Sequence, residues 1–121
     1  MTMVSGAGAS APAFTLAISA PSPVRAGQSA AATVTLTARA PYHCNDKYPY
    51  KFSADPPAGV SYPAAVVRGM QVAGARASMA IPFVAGAQGR GTIAGTLAFS
   101  VCTADRCLVE KRRLSVTVDV D

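Results

Sequence analysis

Two cysteines, Cys102 and Cys107, flank the four residues Thr-Ala-Asp-Arg in a segment that otherwise has the composition of β-strands. Four residues suit the loop of a β-hairpin, so both sulfurs are predicted at the mouth of one hairpin. Cysteines in that position can form a disulfide when the geometry allows it. Such a bridge serves either as a structural link or as a pair that exchanges electrons with another thiol.

The alternation of apolar residues predicts which way the two cysteines point. Apolar residues take odd positions before Cys102 and even positions after Leu114, so both cysteines are expected on the face turned away from the core, toward solvent. Glu110 and Arg112 fall on the core side of this pattern. A β-bulge or an early strand end between residues 109 and 113 would explain them, and a bulge would reverse the direction of Cys107.

The stability that the disulfide would provide and its accessibility to other thiols are compatible with both a structural and an electron-exchanging role. On the chain-entropy estimate, closing a loop of about six residues stabilises a fold by roughly 2 kcal/mol. A short bridge on the surface is also accessible to an attacking thiolate. Arg106 lies beside Cys107 and would favour a thiolate there.

A third cysteine, Cys44, follows the single histidine, His43. The alternation places Cys44 and Tyr42 on one face of a strand and His43 on the other. Cys44 is interpreted either as a half-buried apolar residue or as a partner thiol for Cys102 and Cys107. The three cysteines and His43 would form a ligand set that zinc accepts, but the opposite directions of His43 and Cys44 argue against it. Neither a metal nor an organic cofactor is predicted.

The elements that position these residues follow a period of two, which is typical of half-buried strands. Segments rich in proline and glycine separate them, and no stretch shows a helical pattern of apolar residues. The sequence therefore predicts an all-β fold, an immunoglobulin-like antiparallel β-sandwich of about seven to nine short strands. A closed small barrel is the alternative. The alternating segments are residues 14–19, 32–39, 77–83, 93–101 and 114–120, with shorter ones near 48–53, 60–62 and 66–72.

The 121 residues suffice for one domain, predicted over residues 14–121, after a flexible tail rich in alanine, glycine and serine at residues 1–13. The net charge is +5, but without a long basic run or interleaved aromatics, so nucleic-acid binding is not predicted. No apolar run approaches the ~20 residues of a membrane-spanning helix. The first residues also lack the basic and apolar regions of a signal peptide.

The segment around the cysteine pair resembles the end of the N-terminal periplasmic domain of DsbD-type thiol:disulfide interchange proteins. The resemblance rests on GTLAFSVCTADRCLVEKRRLSVTV, on APYHCNDKYPYKFSADPPAGVSYP and on ASMAIPFVAGAQGRGTIAGTLAFSVC, and it covers roughly residues 24–120. It implies an immunoglobulin-like fold and a periplasmic or otherwise exported location, free, lipid-anchored or within a larger envelope protein. It also implies a relay of reducing equivalents, with Cys102 and Cys107 on the redox pair and Tyr42 on a nearby aromatic.

Two functions are compatible with these residues. The first is thiol-disulfide exchange with a protein partner through Cys102 and Cys107, with Tyr42, Cys44 and Arg106 as candidate residues near the site. The second is a non-catalytic immunoglobulin-like structural or protein-interaction module, in which the hairpin disulfide is structural. Both imply a protein partner.

Overall fold

The computed structural model of the chain describes residues 2–121, in which strands are joined by turns and short irregular segments. In this part of the chain, no helix has the length and hydropathy needed to span a membrane. The strands are β1 (Thr2–Ser5), β2 (Ala9–Ala11), β3 (Phe14–Ser22), β4 (Ser29–Ala38), β5 (His43–Cys44), β6 (Lys51–Ala54), β7 (Val60–Ser61), β8 (Val66–Arg68), β9 (Gln71–Ala73), β10 (Arg76–Ala85), β11 (Gly89–Cys102) and β12 (Cys107–Val120).

These strands form two antiparallel sheets, which confirms the predicted all-β sandwich. The seven-stranded sheet has the order β1-β3-β4-β10-β7, with β2 also beside β3 and β9 also beside β10. The five-stranded sheet has the order β12-β11-β6-β8, with β5 also beside β11. The described strands outnumber the seven to nine predicted because many contain only two to four residues. The predicted strand near residues 66–72 is in fact two, β8 and β9, which lie in different sheets.

The core fills the space between the sheets with the inward residues of each alternating strand. Phe14, Phe52, Phe83 and Phe99 are its largest fully buried side chains. The rings of Phe14 and Phe99 meet edge to face with centroids 4.8 Å apart, a favoured arrangement of aromatic pairs. Phe14 belongs to the seven-stranded sheet and Phe99 to the five-stranded sheet, so this pair joins the two layers near the end that carries the cysteines.

The β11–β12 ladder runs without interruption from Gly89 opposite Val120 to Cys102 opposite Cys107. The bulge or early strand end expected between residues 109 and 113 is therefore wrong. Glu110 and Arg112 face inward, but β12 is an edge strand, so their charged ends reach the open rim between the sheets. Arg112 Nη1 lies 2.6 Å from Glu110 Oε1. Its guanidinium lies 5.6 Å from the ring centroid of Phe14, covering an aromatic that would otherwise face water.

The N-terminal residues differ from the predicted flexible tail over 1–13, of which residue 1 lies outside the described residues. β1 and β2 pair antiparallel with β3, and Ala7 forms a bridge with Ser115 of β12. Backbone pairing of this kind needs no large side chains, which explains why the composition suggested a tail. Gly6 lies so close to the backbone of Ser115 that a side chain there would collide with it.

Candidate functional site

Cys102 and Cys107 form a disulfide at the tip of the β11–β12 hairpin, with an S–S distance of 2.06 Å. The two residues are directly opposed, and their Cα atoms are 4.0 Å apart. The predicted four-residue loop between them is confirmed and is closed by a hydrogen bond of 2.7 Å from Thr103 N to Arg106 O. The Thr103 hydroxyl accepts hydrogen bonds of 3.2 Å from the backbone N–H groups of Asp105 and Arg106. The loop thus holds its own shape through one threonine.

Both cysteines lie on the outer face of the five-stranded sheet, as predicted, but their exposure is unequal. Val101 points into the core, and the next residue, Cys102, must therefore point outward. Cys107 is exposed, whereas only 6% of Cys102 is accessible. The expectation that both sulfurs face solvent is thus met for Cys107 alone. Cys102 is covered because β11 is flanked at this point by β12 on one side and β5 on the other.

The residue opposite Cys102 on the other flank is His43. Directly opposed residues of neighbouring strands have Cβ atoms about 5 Å apart on the same face, so the exposed imidazole of His43 borders the disulfide. His43, Cys102 and Cys107 form one row across three strands. The sequence signal was present, because His43 alternates with Cys44. Alternation does not show which strand lies beside Cys102, and His43 was therefore not among the predicted site residues.

Cys44 lies on the core side of the five-stranded sheet, opposite Val101, and only 2% of it is accessible. Its Sγ is 3.9 Å from the carbonyl oxygen of Leu36. Burial raises the pKa of the Cys44 thiol, and a backbone hydrogen bond with Ala38 offsets this only in part. The sheet separates this thiol from the outward-facing disulfide. Its position favours the interpretation of Cys44 as a small apolar residue rather than a partner thiol.

The four residues considered as zinc ligands from the sequence do not converge on one point. His43 and Cys44 point to opposite faces of β5, and Cys102 and Cys107 are bonded to each other. Across residues 2–121, no three His, Cys, Asp or Glu side chains are grouped so that they could hold a metal ion.

The other two candidates near the site, Tyr42 and Arg106, are brought together by the fold. Arg106 Nη2 donates a hydrogen bond of 3.1 Å to the Tyr42 hydroxyl. Tyr42 is half-buried against the core, so this bond ties the exposed hairpin loop to the segment between β4 and β5. The guanidinium is consequently held in the loop next to Cys107.

Ser100 lies two residues before Cys102 on the same face of β11 and is completely buried. The Tyr50 hydroxyl lies 2.7 Å from the carbonyl oxygen of Asn45 and 3.0 Å from that of Ser100, so its single proton is shared between these two acceptors. Asn45 Nδ2 also donates to Ser100 Oγ at 3.4 Å. Burial, followed by the neighbouring Cys44, raises the pKa of Tyr50, which keeps its hydroxyl a donor. These bonds anchor the chain after β5 against the strand that carries Cys102.

Comparisons of the chain with protein-family models, with curated proteins and with solved structures gave no match. The resemblance to DsbD-type domains therefore stays a prediction.

Proposed function

We propose that this protein is a thiol-disulfide exchange module, similar in role to the N-terminal domain of DsbD-type proteins, that passes electrons to or from a protein partner through Cys102 and Cys107. The observation that carries the proposal is the unequal exposure of the two bonded cysteines. An exposed Cys107 beside a covered Cys102 offers one sulfur for attack and protects the other.

The exchange takes place in two balanced steps. A partner thiolate attacks Sγ of Cys107, the Cys102–Cys107 bond breaks, and Cys102 leaves as a thiolate. The second thiol of the partner, as its thiolate, then attacks the partner sulfur of the mixed disulfide and releases Cys107. Two electrons pass from the partner dithiol, which becomes a disulfide, to the cysteine pair. In the reverse direction, the Cys107 thiolate attacks a partner disulfide and Cys102 resolves the intermediate.

Two neighbouring side chains favour the reduced pair. The guanidinium of Arg106, held by Tyr42, provides positive charge beside Cys107. The His43 imidazole borders Cys102 and can donate a hydrogen bond to its leaving thiolate. Lowering the energy of a thiolate in this way makes it a better leaving group. We assign no organic cofactor to this exchange.

A disulfide is compatible with an oxidising, exported compartment. Our proposal places the protein in the periplasm, where a partner dithiol could meet it. The competing function is a structural or protein-interaction module, in which this disulfide only fastens the hairpin.

The reduction potential of the pair separates these functions. The Cys44→Ala variant, in which Cys102 and Cys107 are the remaining cysteines, is equilibrated in glutathione redox buffers and its free thiols are then trapped by alkylation. We expect a potential above about −250 mV, as in disulfide oxidoreductases, whereas a value below about −300 mV would identify a structural bridge.

A second measurement tests the order of attack. In the Cys44→Ala background, Cys102→Ser leaves the exposed thiol and Cys107→Ser leaves the covered one. We expect the Cys102→Ser protein to form a mixed disulfide with oxidised glutathione at least about tenfold faster, since rates of exchange depend on access. Equal rates would contradict the assignment of Cys107 as the attacked sulfur.

A further inference from the structure

Charge is distributed unequally between the two sheets. Within the described strands of the seven-stranded sheet, Arg76 is the one charged residue, and the outward positions of β3, β4 and β10 carry mainly threonine, serine and alanine. The strands of the five-stranded sheet carry eight charged residues. The outer face of that sheet is also the one that bears the disulfide.

Three cations on this face form a single row, which we call the basic row: Lys51, Arg68 and Lys111. The register places Lys111 and Lys51 on either side of the small residue Ala98, and Arg68 beyond Lys51. Because neighbouring strands are about 4.8 Å apart, the row spans about 14 Å across four strands. Phe52 and Val67, which alternate with Lys51 and Arg68, pack in or against the core, so these two cations point outward. Lys111 points outward because its neighbours on β12 lie opposite the buried Leu97 and Phe99.

The basic row has no acidic partner among the described residues. The ion pairs of this part of the chain join Arg113 to Asp55, Arg90 to Asp119 and Arg112 to Glu110. The acids of the five-stranded sheet and of the turn after β6 are thus occupied by arginines outside the row. Directly opposed like charges, such as those of Lys51 and Arg68, repel each other. Negative charge from another molecule would relieve that repulsion.

The basic row and the disulfide can be covered by one partner. Ala98 and Cys102 lie on the same strand and face, four residues apart, which corresponds to about 14 Å along a β-strand. Between them lie the buried Ser100 and, opposite it on β12, Val109, which is 60% exposed. An exposed apolar side chain flanked by cations on one side and a reactive sulfur on the other is a suitable centre for a small transient interface.

We infer that the basic row is the docking surface for an acidic protein partner whose reactive cysteine reaches Cys107. This inference rests on the proposed exchange function and adds the chemistry of its partner. A protein is favoured over an anionic lipid surface or a nucleic acid because the row shares its face with a disulfide that exchanges only with another thiol or disulfide. The outer face of β6, β8, β11 and β12 also presents no aromatic ring for base stacking. A second copy of this face would repel the first.

Matched peptide thiols test the inference. The acidic probe is Cys-Ser-Ser-Ser-Glu-Glu-Glu, in which the first glutamate lies about 14 Å from the cysteine when extended. The neutral control replaces each glutamate by glutamine. The second-order rate constant for reduction of the Cys102–Cys107 disulfide is measured for each peptide. It is divided by the rate constant of the same peptide with hydroxyethyl disulfide, an uncharged disulfide, which corrects for differences in the acidity of the two thiols.

We expect the corrected rate of the acidic peptide to be about tenfold higher at low ionic strength, because complementary charge accelerates encounter. At about 0.5 M salt, where the screening length is only a few ångströms, the advantage should fall to about twofold or less. An advantage that does not respond to salt would overturn the inference.

Two triple variants with the same change in net charge locate the effect. Lys51→Gln/Arg68→Gln/Lys111→Gln should reduce the advantage to less than about twofold. Arg25→Gln/Arg39→Gln/Arg76→Gln, which removes three exposed cations elsewhere, should retain most of it. Equal losses in both triples would show an effect of net charge alone and would overturn the docking surface.

The neutral peptide distinguishes failure of the proposed exchange function from failure of the docking inference. If it fails to exchange with the wild-type disulfide, the proposed function fails. If it exchanges but the acidic peptide has no advantage, only the docking inference fails. Binding of anionic phospholipid vesicles or of a single-stranded oligonucleotide at about 0.15 M salt, lost in the basic-row triple, would assign the row to those ligands instead and overturn a protein partner.

Discussion

Removal of the disulfide by Cys102→Ala/Cys107→Ala is expected to lower the free energy of unfolding by about 2 kcal/mol while leaving the fold intact. The bridge closes a loop of about six residues, for which the loss of chain entropy in the unfolded state corresponds to about 2.2 kcal/mol at 25 °C. The effect stays small because the β11–β12 ladder contains fourteen opposed pairs, and the disulfide ties only the last of them.

The same magnitude can be expressed as a change in melting temperature. At about 2.1 cal/mol/K per residue, unfolding of 121 residues has an entropy of roughly 0.25 kcal/mol/K, so a loss of 2 kcal/mol lowers Tm by about 8 °C. Urea denaturation followed by circular dichroism measures the change for oxidised wild type, reduced wild type and the double variant. Reduced wild type is the matched control, since it opens the bridge without changing either residue type.

The reasoning would be refuted by either of two results. Loss of cooperative unfolding, or a decrease above about 4 kcal/mol, would show that the tip disulfide holds the two sheets together. A decrease below about 0.5 kcal/mol would show that the chain-entropy estimate does not apply to this hairpin. In the expected range, the protein remains folded in both redox states, which an exchange module requires.

Two further predictions concern residues around the site. Arg112→Ala should lower the free energy of unfolding by about 1 kcal/mol in urea denaturation, since it removes the pair with Glu110 and the contact with the Phe14 ring. Its outward neighbour provides the control, and Lys111→Ala should change stability by less than about 0.5 kcal/mol; equal effects would contradict the rim contact. Because burial raises the pKa of Cys44, its thiol should resist iodoacetamide in the folded protein. The free energy of unfolding should be constant below the ordinary thiol pKa of about 8.5 and should decrease as the pH rises from there through the folded pKa of Cys44. Cys44→Ala should remove the part of that decline below about pH 10, above which the raised pKa of Tyr50 also lowers stability. Rapid alkylation of native Cys44 would contradict its burial.

The long strands could be predicted from the sequence because burial alternates with every residue. Leu16 and Ile18 of β3 and Val116 and Val118 of β12 are all buried, while the residues between them are half-buried or exposed. The hairpin tip was predictable for the same reason, since alternation on both flanking strands determines the face of each cysteine. The alternation of apolar residues with a period of two thus predicts both the β-sandwich and the position of the disulfide.

Three features could not be predicted because they depend on neighbours that are distant in sequence. Alternation places Arg112 inward but does not reveal that β12 is an edge strand, where an inward arginine still reaches water. It gives Cys102 an outward direction but not the cover that β5 provides. It also assigns no structure to residues 2–11, whose strands form by backbone pairing with β3.

The N-terminal strands have a consequence for association between molecules, because they pair with the outer edge of β3. β3 would otherwise present a row of unpaired N–H and C=O groups, and β1 and β2 occupy that row in succession. A chain shortened to begin at residue 14 would expose nine residues of pairing-competent backbone at the border of the sheet. Such a border recruits strands from other molecules, so the shortened chain should self-associate into extended aggregates even though its largest buried side chains and its cysteines are unchanged.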